Sequence, residues 1–136
     1  MKTKINALII TTIAILGLTD MVTAETLNFG IYFQDVSGNP PTAYHVRVRV
    51  AFYDGTYSNW FTDSQITGYP TSGWQPSTTY SNLSIQVSLP SPIPADFCYL
   101  QAEVWKDLTL ELRASSSWKP KSDPINFGVI DCGIIY

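Results

Sequence analysis

Apolar and polar residues alternate with a period of two along most of this chain, the pattern of half-buried β-strands. The clearest run is Tyr44 to Tyr53. Tyr44, Val46, Val48, Val50 and Phe52 fall on one face, and His45, Arg47, Arg49, Ala51 and Tyr53 on the other. Leu83, Ile85, Val87 and Leu89 alternate with Ser84, Gln86 and Ser88. Phe97 to Trp105 alternates again, with Cys98, Leu100, Ala102 and Val104 facing in. Leu27 to Gln34, Tyr57 to Thr62, a leucine row at 108, 110 and 112, and Ile125 to the chain end bring the total to about seven short strands. Turn residues separate them: Ser37 to Pro41, Asp54-Gly55 as a hairpin signal, and Pro90 to Pro94 as an extended crossing.

Burial selects a register for one hairpin. A three-residue loop, Trp105-Lys106-Asp107, would pair Val104 with Leu108 and Ala102 with Leu110, so that the leucine row faces in. A two-residue turn at Lys106-Asp107 would pair Trp105 with Leu108 and put that row with Trp105, Glu103 and Gln101, because a one-residue slip exchanges faces. The first register is expected. The two ends also resemble each other. Leu27-Asn28-Phe29-Gly30-Ile31 recurs as Ile125-Asn126-Phe127-Gly128-Val129. This fits chance in a β-rich chain, or two equivalent or neighbouring strands with a glycine at a bulge or close approach.

The start of the chain breaks the pattern. Lys2 and Lys4 precede an almost unbroken apolar stretch from Ile5 to Leu18, and Val22-Thr23-Ala24 offers small residues before Glu25. This is the form of a secretory signal peptide, and the stretch is shorter than the roughly 20 residues of a spanning helix. A cleaved leader at 1–24 and one domain at 25–136 are expected. The product would be extracellular, or periplasmic in a Gram-negative bacterium, with no membrane span.

Cleavage would remove two of the 8 Lys+Arg and one of the 11 Asp+Glu, leaving six against ten. The remaining 112 residues suffice for one core and are short for two. Their acidic balance argues against nucleic acid, whose binding depends on Lys and Arg neutralising phosphates. In an exported chain, the two cysteines, Cys98 and Cys132, are expected to form one structural disulfide. The whole reads as all-β, a single antiparallel β-sandwich of immunoglobulin-like or jelly-roll type.

The chemistry is sparse. His45 is the one histidine, and no motif for a nucleophile, metal or phosphate surrounds it. The aspartates at 35, 54, 63, 96, 107, 123 and 131 occupy turns and strand ends, the usual place for that residue. No catalytic residue, metal ligand or cofactor is assigned. His45, Arg47 and Arg49 make a cationic row that would meet either an anionic partner or Glu103 and Glu111 on adjacent strands.

The better functional signal is aromatic. Tyr57, Trp60, Tyr69, Trp74 and Tyr80 crowd residues 57–80 around a long Gly/Pro/Ser/Thr segment, and long loops commonly carry function. Tyr57, Tyr69, Trp74 and Tyr80 are the candidate contacts. Trp60 is read as core. Trp74, between Gly73 and Pro76, is open to either a contact or a lid folded onto the core. Asn82-Leu83-Ser84 is a glycosylation sequon. A secreted, non-enzymatic binding or interaction protein with a protein or glycan partner is the leading expectation. The alternatives are a carbohydrate-recognition module built on the loop aromatics, a structural subunit of a surface assembly, and a carboxylate-dependent hydrolase.

Overall fold

The computed structural model describes residues 22–70, 73–90, 92–119 and 125–136. The expected leader at 1–24 therefore lies outside the described residues except for positions 22–24, and Asp123 lies outside them too. Six strands are present: β1 (Val22–Asp35), β2 (Tyr44–Phe52), β3 (Tyr80–Pro90), β4 (Cys98–Lys106), β5 (Thr109–Ser115) and β6 (Asn126–Ile135). They form two three-stranded sheets, in the orders β3-β1-β6 and β2-β4-β5, which pack face to face. No helix among the described residues is long and apolar enough to cross a membrane.

The alternation sets the core. Val46, Val48 and Val50 of β2 and Leu100, Ala102 and Val104 of β4 face Leu27, Ile31 and Phe33 of β1 and Leu83, Ile85 and Leu89 of β3. β2 pairs with β4 residue for residue from Tyr44↔Lys106 to Phe52↔Cys98. This places His45, Arg47 and Arg49 opposite Trp105, Glu103 and Gln101 on the outer face.

One sheet is mixed, which corrects the purely antiparallel expectation. β1 runs parallel to β6, with Asn28 opposite Asn126 and Gly30 opposite Val129. The two similar five-residue segments are thus neighbouring strands. Twice along this pair β6 uses three residues where β1 uses two, and a glycine at positive φ stands in each bulge, Gly128 at 69° and Gly133 at 97°. Inward residues on β6 therefore come at 130, 132 and 135 and not at strict alternation. Gly30 is needed for a different reason. A Cβ there would lie 2.8 Å from the carbonyl oxygen of Tyr80, at the bulge in the β1–β3 pair.

The β4–β5 hairpin takes neither of the two registers weighed from the sequence, the expected one or the turn at Lys106-Asp107, although Leu108 and Leu110 do fall outward. Its turn is the two-residue Asp107-Leu108, with Lys106 opposite Thr109 and Trp105 opposite Leu110. Asp107 holds a φ of 51° and its carboxylate accepts the backbone N–H groups of Thr42 and Ala43. Leu108 is consequently 93% exposed. A bulge at Glu111 then restores the inward direction, so that Leu112 and Ala114 pack against the core. Tyr57 to Thr62 is not a full strand either. It bridges β2 at Tyr57↔Ala51 and Phe61↔Val48, with Ser58 bonded to Val50 between them, and spends one residue more than β2 over that span, the outward bow.

The expected disulfide is absent: Cys98 and Cys132 are both buried free thiols. They sit at different levels of the sandwich. Eight residue steps of β4 separate Cys98 from Lys106, roughly 27 Å at strand rise. Lys106 bonds Asp35, which pairs with Ile135, only three residues beyond Cys132. Bridged Cα atoms must approach to about 4.4–6.8 Å, well under this offset. Burial pushes the Cys98 thiol up to about 11, with Lys119 acting in the opposite direction. Burial raises Cys132 to about 12, and Asp131 adds to the rise. Both thiols should react with a disulfide reagent at pH 8 only as fast as the chain opens, and at once in denaturant. Rapid labelling of the folded protein would contradict this placement.

One end of the sandwich is tied by Asp35. Its carboxylate accepts from the Tyr44 hydroxyl, the Ser37 N–H at 2.9 Å and Lys106 Nζ at 3.2 Å. Burial alone would raise this carboxyl, but those bonds outweigh it and hold it well below the usual carboxylate range. A depressed value means that the unfolded chain takes up protons first, so the stabilisation is present above about pH 4 and is lost as pH falls toward the folded value. Asp35→Asn should flatten the acid limb of a stability–pH curve measured by urea titration. An unchanged limb would assign acid lability elsewhere.

Candidate functional site

The outer face of the β2-β4-β5 sheet carries a row of arginines and aromatic side chains. Tyr57, held at its bridge to β2, and Trp60, in the outward bow, lie over the arginines of β2. The Arg49 guanidinium carbon is 3.7 Å from the Tyr57 ring centroid and 4.5 Å from that of Trp60. The Arg47 guanidinium carbon is 4.4 Å from Trp60 and 5.0 Å from Trp105. Rings and cations thus alternate as Tyr57, Arg49, Trp60, Arg47, Trp105, each contact within cation–π range.

Glu103 anchors this row from below. It belongs to the outward parity of β4, yet is 0% exposed because the side chains around it close over it. Arg47 Nε donates to its Oε1 at 2.7 Å, Trp105 Nε1 donates to the same oxygen at 3.1 Å, and Arg113 on β5 donates to Oε2 through Nε at 2.9 Å and through Nη2. Burial would push this carboxyl up, but the bonds from Arg113, Arg47 and Trp105 prevail and hold it below its ordinary value. Arg49 Nε donates to Gln101 at 2.8 Å. Farther along β4, Tyr99 meets Trp118 edge to face, with centroids 4.7 Å apart.

At the Trp105 end the row opens into a cleft of about 420 Å³, walled by Trp105, Arg47, His45, Thr62, Asp63 and Ser64 and bounded by Asp107. Asp63 starts a single 3-10 turn (Asp63–Gln65) that follows the outward bow. Its Oδ1 accepts the Val46 N–H at 2.9 Å and Trp74 Nε1 at 3.0 Å, and its Oδ2 meets His45 Nδ1 at 2.8 Å. A carboxylate only accepts, so His45 Nδ1–H donates this bond, and Nε2 is the ring nitrogen outside it.

The sequence-derived candidates separate. His45, Arg47 and Arg49 share the face, each bonded to a side chain of the same molecule: Asp63, Glu103 and Gln101. Of the two glutamates expected opposite the row, Glu103 takes that place. Tyr57 is on the same face and 50% exposed. Trp74 is not an exposed contact. It is 3% exposed and packs in the core, with Tyr80 edge-on at 5.0 Å. Tyr80 is half-buried and its hydroxyl accepts the Gln75 N–H, while Tyr69 is exposed away from this row. Trp60 exchanges roles with Trp74, lying on the outer face and not in the core. Asn82 is exposed in the β3 bulge at φ 60°.

Residues that sequence reasoning passed over include Asp63, Trp105 and Ser64. Trp105 had a visible signal, since it shares outward parity with Glu103 and stands opposite His45 once β2 and β4 are paired. Asp63 had none, because its partners lie 11 to 18 residues away. Among the described residues, no group of three or more His, Cys, Asp or Glu is placed to hold a metal ion. No protein-family model, no curated protein and no solved structure matches the chain.

Proposed function

We propose that this is an exported, non-enzymatic binding or interaction protein, built as one immunoglobulin-like sandwich, which meets a protein or glycan partner with the outer face of the β2-β4-β5 sheet. One observation carries the reading. All three arginines of the chain, Arg47, Arg49 and Arg113, and three of its four tryptophans, Trp60, Trp105 and Trp118, lie on or against this one face. Trp, Tyr and Arg are the residues that dominate binding energy at contact surfaces. Here they are held rigid before any partner arrives, which lowers the ordering cost of association.

The immunoglobulin type is supported by strand order. Strands β1 to β4 alternate between the sheets and β4–β5 is a hairpin, giving β1-β3 against β2-β4-β5. β6 departs from that plan by lying parallel beside β1. Export rests on the basic and apolar leader at 1–24. The non-enzymatic reading rests on the sequence, in which the one histidine has no motif for a nucleophile, metal or phosphate around it.

The test is an array of glycans and extracellular proteins probed with wild type, Tyr57→Ala and Arg49→Ala. A specific partner should bind the wild type and lose about tenfold or more in affinity with either variant, the effect of a contact hot spot. Binding indifferent to both variants would move the surface elsewhere. Turnover on a hydrolase panel, abolished by replacing a pair of carboxylates, would make the protein an enzyme.

A further inference from the structure

The cleft at the Trp105 end of the row has its own chemistry. We propose that it takes a neutral pyranose ring, stacked on the Trp105 indole and hydrogen-bonded by the His45–Asp63–Ser64 wall. This inference rests on the binding reading above and names a ligand class for one region of that face.

The floor comes first. Trp105 spends its only hydrogen-bond donor internally, on Glu103, and Arg47 lies against its ring. The indole is pinned in place, and what it offers a ligand is ring surface. An apolar ring face is the counterpart of the C–H face of a sugar.

The wall opposite is short and polar. Asp63 is fixed by three donors from two segments, His45 and Val46 of β2 and Trp74 of the following loop, so its position does not depend on a ligand. His45 adds its second ring nitrogen, Nε2, to this wall. Thr62 carries a hydroxyl, and the Ser64 hydroxyl is on an exposed residue beside Asp63. These groups accept and donate at close spacing, as vicinal hydroxyls require. A few convergent polar groups around an apolar surface are the usual make-up of a small-ligand site, and a cleft of about 420 Å³ falls in the usual size range.

Charge decides between a sugar and an anion. Among the described lining residues Arg47 is the one permanent cation; Glu103 pairs with it and with Arg113, and two carboxylates, Asp63 and Asp107, share the lining. Asp63 and Asp107 stand at the rim, where His45, should it become protonated, is the only other cation among the described lining residues. The cleft is therefore neutral to acidic, although the face beyond it carries the arginines. An anion would be repelled here, and an uncharged polyol would not.

The experiment is titration of the protein with methyl pyranosides of glucose, galactose, mannose and N-acetylglucosamine, with glucuronate and inorganic phosphate as charged arms. Binding is read from ligand saturation-transfer signals and from the indole N–H resonances. At least one neutral pyranoside should bind saturably and shift the Trp105 indole signal. Trp105→Leu should weaken it about tenfold, and Ser64→Ala and His45→Gln severalfold, while Gln86→Ala on the other sheet leaves it unchanged. If Trp105→Leu fails to fold, the Ser64 and His45 variants carry the test. The inference falls if no neutral pyranoside binds the folded protein, if glucuronate or phosphate binds more tightly, or if binding ignores Ser64→Ala and His45→Gln. A non-sugar partner on the array, lost with Tyr57→Ala, would leave the wider binding reading standing while this one fails.

Discussion

Replacing Glu103 with alanine should cost about 3–5 kcal/mol of folding stability, measured by urea or guanidinium unfolding. The carboxylate is wholly buried and accepts from Arg47, Arg113 and Trp105. Removing it leaves both guanidinium groups and the Trp105 N–H without their shared acceptor. Arg113→Ala should cost far less, because its side chain is half in water and Arg47 still neutralises the glutamate. The contrast between the two variants is the test. Similar losses would mean that Glu103 acts through packing alone. Glu103→Ala should also loosen the ring–cation row above it, so fluorescence of the outer tryptophans should change even under conditions where the chain remains folded.

The second large effect is expected at Trp74. Trp74→Ala should destabilise the fold by about 3–5 kcal/mol, the range for truncating a buried aromatic. Its ring fills the core between Tyr80 and the sheets, and its N–H is one of three donors fixing Asp63. Trp74→Phe separates the two roles. It keeps most of the ring, removes the donor and should cost about 1–3 kcal/mol. In that variant the His45–Asp63 pair loses one of its supports, so the His45 resonances should shift while the core signals hold. A Trp74→Ala protein as stable as wild type would show that the indole does not fill the core as described.

Much of the architecture was legible because alternation reports which face of a strand is wet. The inward sets of β2, β3 and β4 follow directly from it. The similar segments at Leu27 and Ile125 were a fair sign of adjacent strands. Alternation fails at bulges, which shift parity without changing composition. That is why the leucine row at 108 to 112 turns outward until Glu111 resets it, and why β6 buries Ile130, Cys132 and Ile135. The site was harder. Trp60 and Trp74 have similar local surroundings, and their exchange of core and surface depends on contacts distant in sequence. Trp74 is drawn inward by Asp63, Trp60 outward by the two arginines of β2. The arginines and Glu103 could be paired from strand register alone. The cleft could not, because Asp63 reaches it only through a turn that closes after the outward bow.

The parallel β1–β6 pair has a mechanical meaning. The start of β1 and the end of β6 lie at opposite ends of their shared ladder, because both strands run the same way. Tension applied between those two points pulls along the strands and not across them. The inter-strand hydrogen bonds are then loaded together in shear, where an antiparallel hairpin pulled from its open end would unzip bond by bond. Resistance to such a pull is governed by the unfolding barrier and not by the equilibrium stability. Force spectroscopy with handles at those two ends should record one high rupture peak, and a handle moved to the β4–β5 turn a lower one. A fold of modest size would in this way hold together as a tether between whatever is attached at either end.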